Sequence, residues 1–156
     1  MLTPAQKITL KTAIQADSAA NALFVSGDLG GLADYLNTQA SPTFTVWKTS
    51  VLIGSIGASI VASELSGLST LNATRLQTLV MLLQDGVNPT RVDTRAFFDD
   101  IFSGAGGVNT RAALLALWKR LASRVEKIFA TGTGSDAVPA ILSFEGTLTY
   151  QDLIGL

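Results

Sequence analysis

TRAALLALWKRLASRVEKIFA, residues 110–130, is the stretch on which the fold reading turns. Leu114, Leu117, Leu121 and Ile128 recur as one apolar row, and Leu115, Trp118, Ala122, Val125 and Phe129 as a second. That spacing predicts one long helix from Thr110 to about Ala130, capped by Asn109, with an apolar sector wide enough to pack on two sides. Leu117 and Leu121 are expected to face the core.

Upstream, further helices follow from caps and spacing. Thr3-Pro4 opens a helix running to about Ala16, because Thr can accept from the first turn and Pro needs no N–H there. Asp17 or Ser18 caps a second that stops at Gly27, and a third spans about Leu29 to Thr38. After Ser41-Pro42, residues Thr43 to Val51 favour an extended segment or a single turn, with no partner strand in view. A helix from about Leu52 to Glu64 is closed by Gly67. The next opens at Thr70 or Asn72, carries Leu76, Leu79, Val80 and Leu83, and ends near Gly86. Asp93 can cap a short helix holding Phe97, Phe98, Ile101 and Phe102, followed by a loop at Gly104, Gly106 and Gly107. Beyond Ala130, Thr131 to Asp136 is a turn and Pro139 blocks a return to helix. Residues Ile141 to Tyr150 suit a loose hairpin around Glu145-Gly146 or an extended arm, and Thr149 to Asp152 a short capped turn. The fold class expected is mainly α: a compact helical bundle, body 1–130, with an extended or loosely β C-terminal arm, 131–156.

Composition narrows the chemistry. The 156 residues are 47% hydrophobic and 15% charged, with mean hydropathy +0.38, which implies either a generous core or a surface partly covered by another subunit. Net charge is −1, so no global field draws nucleic acid. There is no Cys and no His, which excludes thiol chemistry, histidine-based triads and ordinary zinc sites. Met1 to Gln15 lacks the pattern of a secretory signal, and the uncharged run Val51 to Ser63 is short of the ~20 residues that a membrane span needs.

Few side chains offer a site. The glycine clusters Gly27 to Gly31 and Gly132-Thr133-Gly134 lack the Lys-Ser/Thr pair of a phosphate loop and read as turns. Asp99 and Asp100, adjacent on a helix, point in different directions, and with Asp93 nearby they read as a solvated face. No catalytic, cofactor or metal residue is assigned, and no enzyme is expected. Arg120, Arg124 and Lys127, spaced i, i+4, i+7, would share one face of the long helix and could meet a partner protein or DNA phosphates. Trp47 could anchor a subunit contact. Phe144, Leu148, Tyr150, Leu153 and Ile154 keep the arm apolar, as folding back over its own domain or, in the favoured reading, docking on a neighbour would require.

Two stretches and the N-terminus carry a resemblance. Residues 40–51 (ASPTFTVWKTSV) are one stretch. The other runs from Lys119-Arg120-Leu121-Ala122 through Glu126 to Asp136, and on to Phe144-Glu145-Gly146 and Tyr150-Gln151-Asp152. With Leu2-Thr3-Pro4-Ala5-Gln6, they resemble small uncharacterised proteins encoded among the structural genes of tailed bacteriophages; Leu52 to Gly107 carries none of the likeness. The resemblance implies a virion setting after synthesis in the bacterial host cytoplasm, and transfers no active-site residue. By architecture the chain is similar to head–tail connector (adaptor) proteins, which implies a ring of its own copies against a portal or tail protein. A capsid-decorating or tail-tip protein, and a small DNA-packaging accessory using Arg120, Arg124 and Lys127, are the alternatives. Neither a membrane nor, in the leading reading, nucleic acid is an expected partner.

Overall fold

Local caps set the N-terminal helices where the sequence predicts them. Thr3 accepts from Gln6 N while the Gln6 side chain accepts from Thr3 N, starting α1 (Pro4–Ala16). Asp17 accepts from Ala19 and Ala20 to start α2 (Ser18–Ser26), which ends on Gly27 in the left-handed conformation, φ 78°. Asp28 accepts from Gly31 to start α3 (Leu29–Asn37). The computed structural model describes residues 2–83 and 85–156 and is mainly helical, with only short strands. The chain divides into two units: Met1–Val46 with Leu121–Leu156, and Trp47–Arg120.

The first unit packs α1, α2 and α3 with α9 (Arg124–Ile128) and α10 (Tyr150–Leu153). Its core holds Leu2, Leu10, Ile14, Leu32 and Leu36 together with Val125, Phe129, Leu148 and Leu153. The C-terminal residues are therefore built into this unit. Asn37 fixes them by donating to Leu148 O and accepting from Leu148 N, both at 2.8 Å. Strands β3 (Ala130–Thr131) and β4 (Ile141–Leu142) pair antiparallel, Ala130 opposite Leu142. The expected hairpin around Glu145-Gly146 is thus replaced by one whose loop is the glycine-rich turn.

The second unit holds α4 (Ile53–Ser59), α5 (Ala62–Ser66), α6 (Thr70–Leu82), α7 (Val92–Ile101), a 3-10 turn (Ala105–Gly107) and α8 (Val108–Leu117). Phe98, Ile101, Phe102, Leu114 and Trp118 form its core with Trp47, Val51, Ile56 and Leu76. The Phe98 ring stands edge-on to Trp118 at 5.5 Å. Glu64, buried on α5, caps α8 from a distance. Its carboxylate accepts from Asn109 N at 3.0 Å, Asn109 Nδ2 at 2.9 Å and Thr110 N at 2.7 Å. Burial pushes the Glu64 carboxyl up, but the bonds from Thr110 and Asn109 outweigh it and hold the pKa at about 2.

The single helix expected from Thr110 to Ala130 does not form. It is α8, a strand β2 (Lys119–Leu121), and α9. The strand pairs with β1 (Thr45–Trp47), the partner that local reading could not supply. Ala122 N donates to Phe44 O and Lys48 N to Trp118 O, each at 2.8 Å. Ser123 then starts α9 afresh, accepting from Glu126 N while Glu126 accepts from Ser123 N. The two apolar rows are divided in consequence. Leu114 and Trp118 enter the second unit's core, Val125 and Phe129 the first unit's. Leu117 is only half-buried and Leu121 is exposed, against the expectation that both face inward.

Candidate functional site

The helix that would align the basic strip is broken. Arg120 sits on β2 in the second unit, Arg124 and Lys127 on α9 in the first, so the three do not share one helix face. Arg124 has structural work. Its Nε donates to Thr38 Oγ1 at 3.1 Å, its Nη1 lies 3.9 Å from Asp17 Oδ2, and its guanidinium covers Tyr35 at 4.4 Å. Tyr35 Oη donates to Asp17 at 2.9 Å. Burial raises the Asp17 pKa, but the bonds from Ala20, Tyr35 and Ala19 and the charge of Arg124 bring it below the usual carboxylate value. Burial and Asp17 together raise that of Tyr35. Lys127 lies over the Phe44 ring at 5.6 Å. Asp17, Ser41, Arg124 and Lys127 line a cavity of about 280 Å³, in which Asp17 offsets Arg124 and Lys127 lies over Phe44.

The apolar C-terminal candidates divide between core and surface. Leu148 and Leu153 are core residues of their own unit, so neither offers a docking surface. Phe144 is half-buried against Phe129 at 5.5 Å. Tyr150 and Ile154 are exposed. The glycine clusters are accounted for by the backbone. Gly134 has φ 66°, and a Cβ there would strike the Phe44 ring. Asp100 pairs with Arg75 at 2.6 Å, while Asp93 lies 3.9 Å from Arg91. Among the described residues no cluster of metal-ligating side chains occurs, and no helix is long and apolar enough to cross a membrane.

The second unit contains a site that the sequence did not single out. A cavity of about 360 Å³ is lined by Trp47, Arg95, Asp99, Arg111 and Trp118, with Val108, Ala112 and Leu115. Trp47, a candidate anchor from the sequence, is buried in the core and forms one wall. The Arg95 guanidinium lies 4.2 Å from its ring centroid, within cation–π range. Burial lowers the Arg95 pKa, and the charge of Asp99 offsets this only in part. Arg95 Nη1 donates to Pro89 O, and Arg111 Nη1 to Phe102 O and Gly104 O. Trp118 is 2% exposed, and its indole N–H is the only buried side-chain polar atom without a hydrogen-bond partner among the described residues. The i, i+4 pair Arg95 and Asp99 was a legible helix signal; the approach of Trp47 and Arg111 to it was not.

The same unit exposes several apolar side chains of one helix. On α6 only Leu76 is buried, while Leu71 (68%), Val80 (43%), Met81 (74%) and Leu82 (75%) face solvent. Arg75 is the helix's one charged residue, and its guanidinium lies over Phe97 at 5.1 Å. Thr74, Thr78, Leu79, Leu82 and Phe97 line a shallow groove beside it. No protein-family model matches the chain, and neither a curated protein nor a solved structure shows significant similarity to it.

Proposed function

We propose that this chain is a non-enzymatic structural subunit of a tailed-phage virion, a member of a neck or head–tail connector ring that works through protein–protein contact. The observation that carries the reading is the side of α6 that Leu71 and Leu82 share, with Met81 next to it and Val80 opposite. Leu71, Val80, Met81 and Leu82 lie exposed on a helix with a single charge. An unpartnered face of this kind marks an interaction surface rather than a solvated helix. Burying one such Leu or Met side chain fully is worth ~1.5–3 kcal/mol, against which the entropy of association must be set. A second copy of the chain is the occupant that a ring requires, with a portal or tail protein on the ring's other contacts. The virion setting rests on the resemblance of residues 40–51 and of the segment from Lys119 to Asp152. The DNA-packaging alternative is the second reading, and the single helix face on which it was based is split between a strand and a helix.

Light scattering on the eluted protein at tens of micromolar tests the proposal. The chain should run as an oligomer, with rings visible by negative stain. The triple change Leu71→Glu, Met81→Glu and Leu82→Glu should give monomers of unchanged helical content. A wild-type chain that stays monomeric at every concentration, or a triple variant that still assembles, would overturn it.

A further inference from the structure

We infer that the cavity walled by Trp47 and Trp118 is a binding site for a monocarboxylate attached to an apolar group, held by Arg95 and Arg111. The inference rests on residues other than the α6 face and stands or falls independently of the proposed assembly. Both guanidinium groups spend Nη1 on backbone carbonyls, and their Nε and Nη2 donors have no acceptor among the described residues. A guanidinium offers donors in a fork that matches a carboxylate. Trp118 lines the same cavity, so its indole reports on whatever enters beside the two guanidinium groups.

Charge and shape then select the ligand. Arg95 and Arg111 contribute two positive charges and Asp99 one negative, leaving +1. A single carboxylate neutralises that, whereas a phosphate dianion would leave charge uncompensated in a partly desolvated site. The remaining wall is apolar (Trp47, Val108, Ala112, Leu115), which suits an aromatic or branched group behind the carboxylate. The cavity's 360 Å³ lies at the small end of ligand pockets, so the occupant is a small acid or the terminal residue of a peptide.

The chain's two tryptophans both line the cavity, so the indole N–H signals of the ¹⁵N-labelled full chain report directly on it. Trp47→Phe assigns them. Benzoate should shift the Trp118 signal saturably, and benzyl alcohol and inorganic phosphate should not. Arg95→Gln with Arg111→Gln should weaken benzoate by at least ~tenfold, the loss expected of charge-assisted bonds. Should that variant fold poorly, Asp99→Asn, an exposed change, should instead tighten benzoate about threefold by removing the opposing charge. A peptide ending in phenylalanine, compared with its C-terminal amide, separates the two sources of the carboxylate. Tighter binding than benzoate, lost in the amide, assigns a chain terminus, and benzoate binding better assigns a free acid. Equal shifts from benzyl alcohol or phosphate, an unmoved Trp118 signal, or unchanged affinity in Asp99→Asn would each overturn the inference.

Discussion

The two units end their helices by different means. In the first, every helix start has a partner within three residues of its cap: Thr3 with Gln6, Asp17 with Ala19 and Ala20, Asp28 with Gly31, Ser123 with Glu126, Thr149 with Asp152. In the second, only α6 has such a cap, from Ser69 to Asn72 N. Helices α4, α5 and α7 have no side-chain cap at their starts, and α8 receives its own from Glu64, some 45 residues away in sequence. Orphan N–H groups at a helix start must be satisfied somehow. A unit that does so locally can fold each helix on its own signal. One that borrows a carboxylate from another helix ties its helices to its tertiary structure. The second unit also keeps the unpartnered indole, the open arginine donors and the uncovered helix face. On the proposals above, that unmet bonding marks the surfaces held for a second copy and for a ligand.

Core deletions probe the contrast most heavily. Leu153→Ala removes a side chain 1% exposed in the first unit, and Phe98→Ala one equally buried in the second. The expected costs are ~2–5 and ~3–5 kcal/mol, by denaturant unfolding followed with far-UV circular dichroism. Because Leu153 lies in the C-terminal 26 residues, a cost below half a kcal/mol would mean that this segment is an arm after all rather than part of the unit's core.

Glu64 sharpens the comparison through pH. Its folded pKa of about 2 lies below the ordinary 4.5, so its contribution to stability is fully present above pH 4.5 and is lost as pH falls towards 2. Asp17 and Asp152, also depressed, add loss of the same sign. The difference between wild type and Glu64→Gln isolates the one group. Tryptophan fluorescence should show wild-type stability falling across that window, and the variant, weaker at neutral pH, falling less. Parallel curves would mean that the α8 cap does not depend on the carboxylate charge.

How much could be read from the chain follows the same division. The starts at Thr3 and Asp17 and the stop at Gly27 were legible because cap and partner are neighbours in sequence. The long helix over residues 110–130 was the largest misreading. Helical spacing persists there by chance across a strand, since Leu114 and Trp118 serve one core and Val125 and Phe129 another. The Ser123 to Glu126 spacing was a visible capping signal inside that stretch, and apolar periodicity overrode it. The pairing of β2 with β1 joins positions more than 70 residues apart, so no local pattern reveals it. Trp47 was noticed as an aromatic. Its cavity, with Arg95 and Arg111, exists only once the unit has folded.

Caps give the smallest effects and the most direct way to break the contrast. Ser123→Ala removes the acceptor for Glu126 N and should cost ~0.5–2 kcal/mol, with the helix start at α9 weakened. The reverse experiment lies in the second unit. Leu52 occupies the N-cap position of α4 with extended backbone, φ −64° and ψ 143°, and makes no side-chain cap bond. Its side chain is largely exposed, so replacing it sacrifices little packing. Ser at that position can accept from the first turn without any change in backbone, and Leu52→Ser should therefore stabilise the chain by ~0.5–1 kcal/mol. Thermal unfolding followed by tryptophan fluorescence measures it in the unit concerned. A gain would show that the missing cap is a vacancy that local chemistry can fill. A loss would mean that Leu52 belongs among the apolar side chains this unit keeps exposed for a partner, and that the uncapped start is the cost of that contact surface.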